Sequence, residues 1–163
     1  HIVESDSLNR FKPQNLSNTV WAYATADITH SEMFEKVANH IVQSDSLDRF
    51  EPQELSNTVW AFATAGINHP ELFEALANHI VESDSLNRFK PQNLSNTVWA
   101  YATADITHSE MFEKVANHIV QSDSLDRFEP QELSNTVWAF ATAGINHPEL
   151  FEALANHIVE SDS

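Results

Sequence analysis

Nine histidines, twenty-four carboxylates and four tryptophans hold most of the chemical repertoire of this 163-residue sequence. The histidines fall into two columns, His1, His40, His79, His118 and His157, and His30, His69, His108 and His147, each with a spacing of 39 residues. Imidazoles could ligate zinc or shuttle protons. A shared zinc, however, needs each ring nitrogen at about 2 Å. Members of one column should lie one packed-helix spacing apart, roughly 10 Å, and His30 and His40 are separated by about 15 Å if they share a helix. The expectation is therefore exposed helix-surface histidines, with no metal and no cofactor.

The sequence has no cysteine, which excludes disulfides, thiolate metal sites and cysteine nucleophiles and leaves the redox compartment unread. No nucleophile stands beside a base, no glycine loop could cradle a phosphate, and no carboxylate pair is distinguished from its own copies. Catalysis needs one asymmetric pocket, whereas these groups recur four times, so no enzyme is expected. Trp21, Trp60, Trp99 and Trp138 could form a stacking platform for bases or sugars. Flanked by Val and Ala inside an apolar stretch, they are expected instead to pack in the core.

The columns come from an internal repeat. Residues 1–39 and 40–78 differ at 11 of 39 positions, and residues 79–163 reproduce residues 1–85 without a substitution. Units 1–39, 40–78, 79–117 and 118–156 are followed by a partial unit, 157–163. Identity over 85 residues points to a very recent duplication or to a deliberately built array, and the missing initiator Met fits a window on something longer. No apolar run approaches the length that spans a bilayer, and no basic segment leads into an apolar one, so neither a membrane partner nor a secretory route is expected.

Each unit reads as two helices. In the first, Pro13 suits an opening turn, Leu16, Val20, Tyr23 and Ala24 share a face with Trp21 on its flank, and Gln14, Asn15, Asn18, Ala22 and Thr25 form the exposed stripe. It should stop near Asp27, which is Gly66 in the second unit. Thr29-His30-Ser31-Glu32 and Asn68-His69-Pro70-Glu71 resemble capping boxes, with Thr29 and Asn68 as caps. In the second helix Met33, Phe34, Val37, Ala38, Ile41 and Val42 face inward, and Glu32 and Lys36 form a surface pair. Ser44-Asp45-Ser46 makes the exit, and Leu47 and Phe50 pin the linker to the core. One hairpin cannot close a core, but stacked copies can. The fold class is all-α, a right-handed α-solenoid of four helix-turn-helix repeats forming one repeat domain over residues 1–163.

The string Phe50-x-Pro52-Gln53-x-Leu55-Ser56-Asn57-x-x-Trp60-Ala61-x-Ala63, followed by Pro70-Glu71 and Phe73, resembles the octotricopeptide repeat in all four units. The second element departs from that family, since its proline run and tryptophan are reduced here. The resemblance implies an organellar protein, chloroplast or mitochondrial, that binds single-stranded RNA. It further implies that the first helices line a concave surface reading one nucleotide per repeat. The candidate readers are Asn18, Asn57, Asn96 and Asn135 at one position and Asn15, Glu54, Asn93 and Glu132 at another, with side chains free of internal bonds. The alternation would encode two preferences; a structural asparagine ladder is the competing reading.

Phosphate contacts would fall to Arg10, Lys12, Arg49, Arg88, Lys90 and Arg127. The formal net charge of −16 opposes them, with −2 per odd unit and −5 per even unit. RNA binding at physiological salt then requires the cations to line one groove while the acids sit on the second helices. The alternative is a structural or designed scaffold that binds protein or assembles head to tail through its apolar end faces, opposed by charge repulsion that salt would screen.

Overall fold

The computed structural model describes residues 11–43, 47–83, 85–121 and 125–161. Four helical hairpins follow one another there: α1 (Pro13–Thr25) with α2 (Ser31–Gln43), α3 (Pro52–Ala65) with α4 (Pro70–Glu82), α5 (Pro91–Thr103) with α6 (Ser109–Gln121), and α7 (Pro130–Ala143) with α8 (Pro148–Ser161). Single 3-10 turns, Leu47–Arg49, Ser85–Arg88 and Leu125–Arg127, lie between hairpins, and no strand occurs among the described residues. The expectations for His1 to Ser7, Arg10 and Ser44-Asp45-Ser46 fall outside them. The odd-numbered helices stack backbone to backbone into one layer; the even-numbered ones form a second layer that meets largely through side chains. The tighter, odd-numbered layer is called the inner layer and the even-numbered one the outer layer.

Local chemistry sets each helix boundary. A proline opens every inner helix and presents no N–H, and the preceding residue, Lys12, Glu51, Lys90 or Glu129, is extended. The N–H of that residue is satisfied by a side chain three positions on: Asn15 Oδ1 at 2.9 Å, Glu54 Oε1 at 2.8 Å, Asn93 Oδ1 at 2.9 Å and Glu132 Oε1 at 2.8 Å accept it. This is one half of a capping box. At the far end Asp27 and Asp105 (φ 61°) and Gly66 and Gly144 (φ 72° and 73°) turn left-handed. Ile28 and Ile67 then donate to the carbonyls of Tyr23 and Phe62, five residues back, which closes the helix as glycine and aspartate allow.

The outer helices are capped by histidine, not by Thr29 or Asn68. Nδ1 of His30, His69, His108 and His147 accepts from the backbone N–H three residues on, at 3.1–3.2 Å. That leaves Nε2–H to donate to the preceding unit, and Nε2 of His69, His108 and His147 lies 3.0–3.1 Å from Oδ1 of Asn39, Asn78 and Asn117. This histidine column is therefore a set of caps and inter-unit ties, with His69 and His147 buried. We expect His69→Ala to cost about 1–2 kcal/mol, one cap plus one tie, read as a lower urea midpoint; an unshifted midpoint would remove the ties from the stability account.

Lys114, the copy of Lys36, also reaches across units. Its Nζ donates to the carbonyls of Ile80, Val81 and Ser83 at 3.1, 2.6 and 2.8 Å. A cation thus serves the carbonyl end of α4 in place of the surface pair with a glutamate that the spacing suggested.

The core runs through every junction. Phe34 meets Phe62, Phe73 meets Tyr101 and Phe112 meets Phe140 edge to face, with centroids 4.9–5.1 Å apart, a favoured aromatic geometry. The Tyr101 hydroxyl donates to the Phe73 carbonyl. Burial, with Glu74 adding to it, holds that phenol well above its ordinary range. The tryptophans are not in this core: Trp21 is 43% and Trp138 46% exposed, and Trp60 and Trp99 are half-buried. Ala22 is exposed as the stripe predicts, but its copies Ala61, Ala100 and Ala139 are fully buried. The reason is common to both corrections. An inner helix packs against the outer helix of the preceding hairpin and against neighbouring inner helices, so small alanines lie at the close backbone approach and the indoles move to its rim.

Candidate nucleic-acid interface

The middle of α3 reaches solvent through Gln53, Asn57, Trp60 and Thr64, and that of α5 through Gln92, Asn96, Trp99 and Thr103. Steps of four, three and four residues keep each set within about 60° of helix circumference. The same residue types recur on α1 and α7, so glutamine, asparagine, tryptophan and threonine form four rows across the inner layer, none of them charged.

At the N-terminal end of these rows the helix openings gather the cations. A groove of about 350 Å³ spans three units and is lined by Asn18, Glu54, Asn57, Arg88, Lys90 and Asn93 among others. A second, of about 360 Å³, carries Arg88, Lys90, Arg127 and His118 at the next junction, and burial lowers the His118 pKa from its ordinary value. Lys12, Arg49, Lys90 and Arg127 are exposed. Arg88 donates to both carboxylate oxygens of Glu51 at 2.7–2.8 Å. With both side chains more than half exposed, the pair is worth about 1 kcal/mol or less. Arg10 lies outside the described residues. Among the described residues Lys12, Arg49, Arg88, Lys90 and Arg127 stand at this edge together with Asp48, Glu51, Glu54, Asp126, Glu129 and Glu132, whereas Glu32, Glu35, Glu71, Glu74, Glu110, Glu113, Glu149 and Glu152 belong to the outer helices. Most of the described cations thus stand at the inner layer despite the net −16, and carboxylates occupy both layers. The edge itself alternates, since Lys12 and Lys90 give way to Glu51 and Glu129 in even units.

The two columns of candidate readers separate. Asn18, Asn57 and Asn96 stand in the asparagine row and form no side-chain hydrogen bond among the described residues, while Asn135 accepts from Gln131 Nε2 at 3.2 Å. Asn15, Glu54, Asn93 and Glu132 are instead committed to the capping bonds described above. Asn93 is only 7% exposed, and its Nδ2 also donates to Ser56 Oγ at 3.4 Å. The expectation that this second column is free of internal bonds is corrected: a proline-started helix needs an acceptor for the preceding N–H, and position three is the nearest side chain that can supply it. The tryptophan row lies at the surface, against the expectation of core packing. Its signal lay in the sequence, because Gln14, Asn18, Trp21 and Thr25 fall on one arc.

Among the described residues no group of three or more histidines and carboxylates could hold a metal, and no helix is long and apolar enough to cross a membrane. Hairpins stacked in register, with uncharged rows along their tighter layer, define a helical-repeat protein. The family model of the RNA-editing substrate-binding complex 6 protein matches residues 5–162, and the chain belongs to that family. The match is not specifically to octotricopeptide repeats, so the motif resemblance stands as one to helical repeats in general. A comparison with curated protein sequences finds no match.

Proposed function

We propose that this chain is a non-catalytic helical-repeat subunit of an RNA-editing substrate-binding complex and that its inner layer binds single-stranded RNA, with a mitochondrial setting as the compartment that goes with it. The observation that carries the reading is the set of uncharged rows on the inner layer with Lys12, Arg49, Arg88, Lys90 and Arg127 along their N-terminal edge, an edge they share with Glu51, Glu54, Glu129 and Glu132. Phosphates would meet Lys12, Arg49, Arg88, Lys90 and Arg127, and base edges would meet the unpaired amides of Asn18, Asn57 and Asn96, which can both donate and accept. Titrating a 12-nucleotide single-stranded RNA at 50 and 200 mM salt tests it. Each phosphate neutralised on a single strand contributes about −0.7 to the log–log salt slope, so engagement of four or five cations gives a slope of about −3. Absence of binding at 50 mM salt would overturn the reading.

A second reading, contact with another helical repeat, rests on the outer flank of α7 and α8. There Leu133, Val137, Trp138 and Ile158 line an apolar groove of about 650 Å³. The copy of this surface on α3 is covered by α5. Concentration-dependent light scattering that rises with salt would favour it.

A further inference from the structure

We infer that the tryptophan row is a stacking ledge for unpaired RNA bases, an inference that rests on the RNA-binding reading above. Trp60 and Trp99 are half-buried: part of each indole is packed against the helical layer and the rest is open to solvent. A ring used only for packing would sit with the phenylalanines at the junctions, which are fully buried. The indoles instead occupy the same exposed arc as Asn57 and Asn96. Trp21 and Trp60 approach with centroids 6.4 Å apart and planes tilted by 33°, within the contact range of aromatic pairs, so the first two units share an aromatic contact on this row.

The order of the rows matches the parts of a nucleotide. From the helix openings inward come Lys12 and Lys90 in odd units, with Arg49, Arg88 and Arg127 from the turns between hairpins, then the asparagine row, then, three residues or about 4.5 Å further along each helix, the indoles. A strand with its phosphates on the cationic edge would carry its bases across the asparagines and onto the rings. The glutamine, asparagine, tryptophan and threonine rows hold no carboxylate, and the nearest ones, Glu51 and Glu54, are engaged by Arg88 and by the Glu51 N–H. A duplex keeps its base faces stacked within itself, which leaves unpaired RNA as the ligand that can use such rings. Stacking on aromatic side chains tolerates any base, so the ledge would supply affinity and the asparagines would bias sequence.

The experiment uses the full chain, a 12-nucleotide single-stranded RNA, a ribose-phosphate strand of equal length without bases, and an RNA duplex. Binding is followed by intrinsic tryptophan fluorescence and, independently, by anisotropy of labelled RNA. We expect RNA to quench the fluorescence, the duplex and the base-free strand to bind about tenfold or more weakly, and Trp60→Leu with Trp99→Leu to lose at least tenfold. Trp60→Phe with Trp99→Phe, which keeps a ring, should retain most of the affinity. Should the leucine variant fail to fold, the phenylalanine variant, the quenching and the base-free strand still decide. Equal binding of the base-free strand, or unquenched tryptophans in a saturated complex, would overturn the ledge while leaving the RNA-binding reading in place. No RNA binding by the unaltered chain would overturn both.

Discussion

Replacing Phe112 with alanine should destabilise the array by roughly 3–5 kcal/mol, the usual range for a large aromatic removed from a packed core. The ring is fully buried, and its edge-to-face partner Phe140 belongs to the next hairpin, so the substitution empties a volume that two units share. In a stack where each repeat is held by its neighbours, the loss falls on the coupling between the third and fourth hairpins. Urea unfolding followed by circular dichroism should show an earlier transition, with the fourth hairpin melting ahead of the rest. Trp99→Phe provides the contrast, because a half-open ring is exchanged for a smaller one, and a change under about 1.5 kcal/mol is expected. Equal losses for the two variants would return the tryptophans to the core and defeat the surface assignment.

The largest effect on RNA should come from reversing Arg88 and Lys90 together. Both side chains line both polar grooves, and R88E with K90E would place two further negative charges beside Glu51 and Glu54. Affinity at 0.1 M salt should fall by about a hundredfold or more, and the salt slope should shrink by about 1.4 for two lost phosphate contacts. Folding should change little, since the ion pair removed is exposed. Lys114→Met should behave in the opposite way, lowering stability through the lost carbonyl contacts while leaving RNA affinity alone. Charge reversal without effect on binding would place the RNA, if it binds, on another face.

The hairpins were legible because helices advertise themselves locally. Pro13 and Pro52 mark openings, Asp27 and Gly66 mark ends, and Met33, Phe34, Val37, Ala38 and Ile41 repeat with helical period and are all buried. What local pattern did not reveal is which neighbour each helix meets. Trp60 adjoins Val59 and Ala61 in sequence and was read with them. Burial of Ala61 was decided by adjacent inner helices about 39 residues away, and that same contact displaced Trp60 to the rim. The cap at His69 likewise depends on Asn39, thirty residues earlier, whereas Asn68 looked the better cap within its own segment. The asparagine row was legible from helical spacing, while the column at Asn15 and Glu54 looked equivalent until proline's missing N–H and the needs of the residue before it were counted.

The unequal coupling of the two layers gives the array a mechanical character. Inner helices stack backbone to backbone, whereas outer ones are joined by long side chains such as the histidine–asparagine ties and Lys114. Such a body bends as a spine does, stiff along its inner side and compliant on its outer side. Opening or tightening the coil would stretch the outer ties while the spacing of the asparagine and tryptophan rows stayed nearly fixed. The protein could then accommodate strain from a bulky partner on its outer side without losing step with a strand held on its inner one.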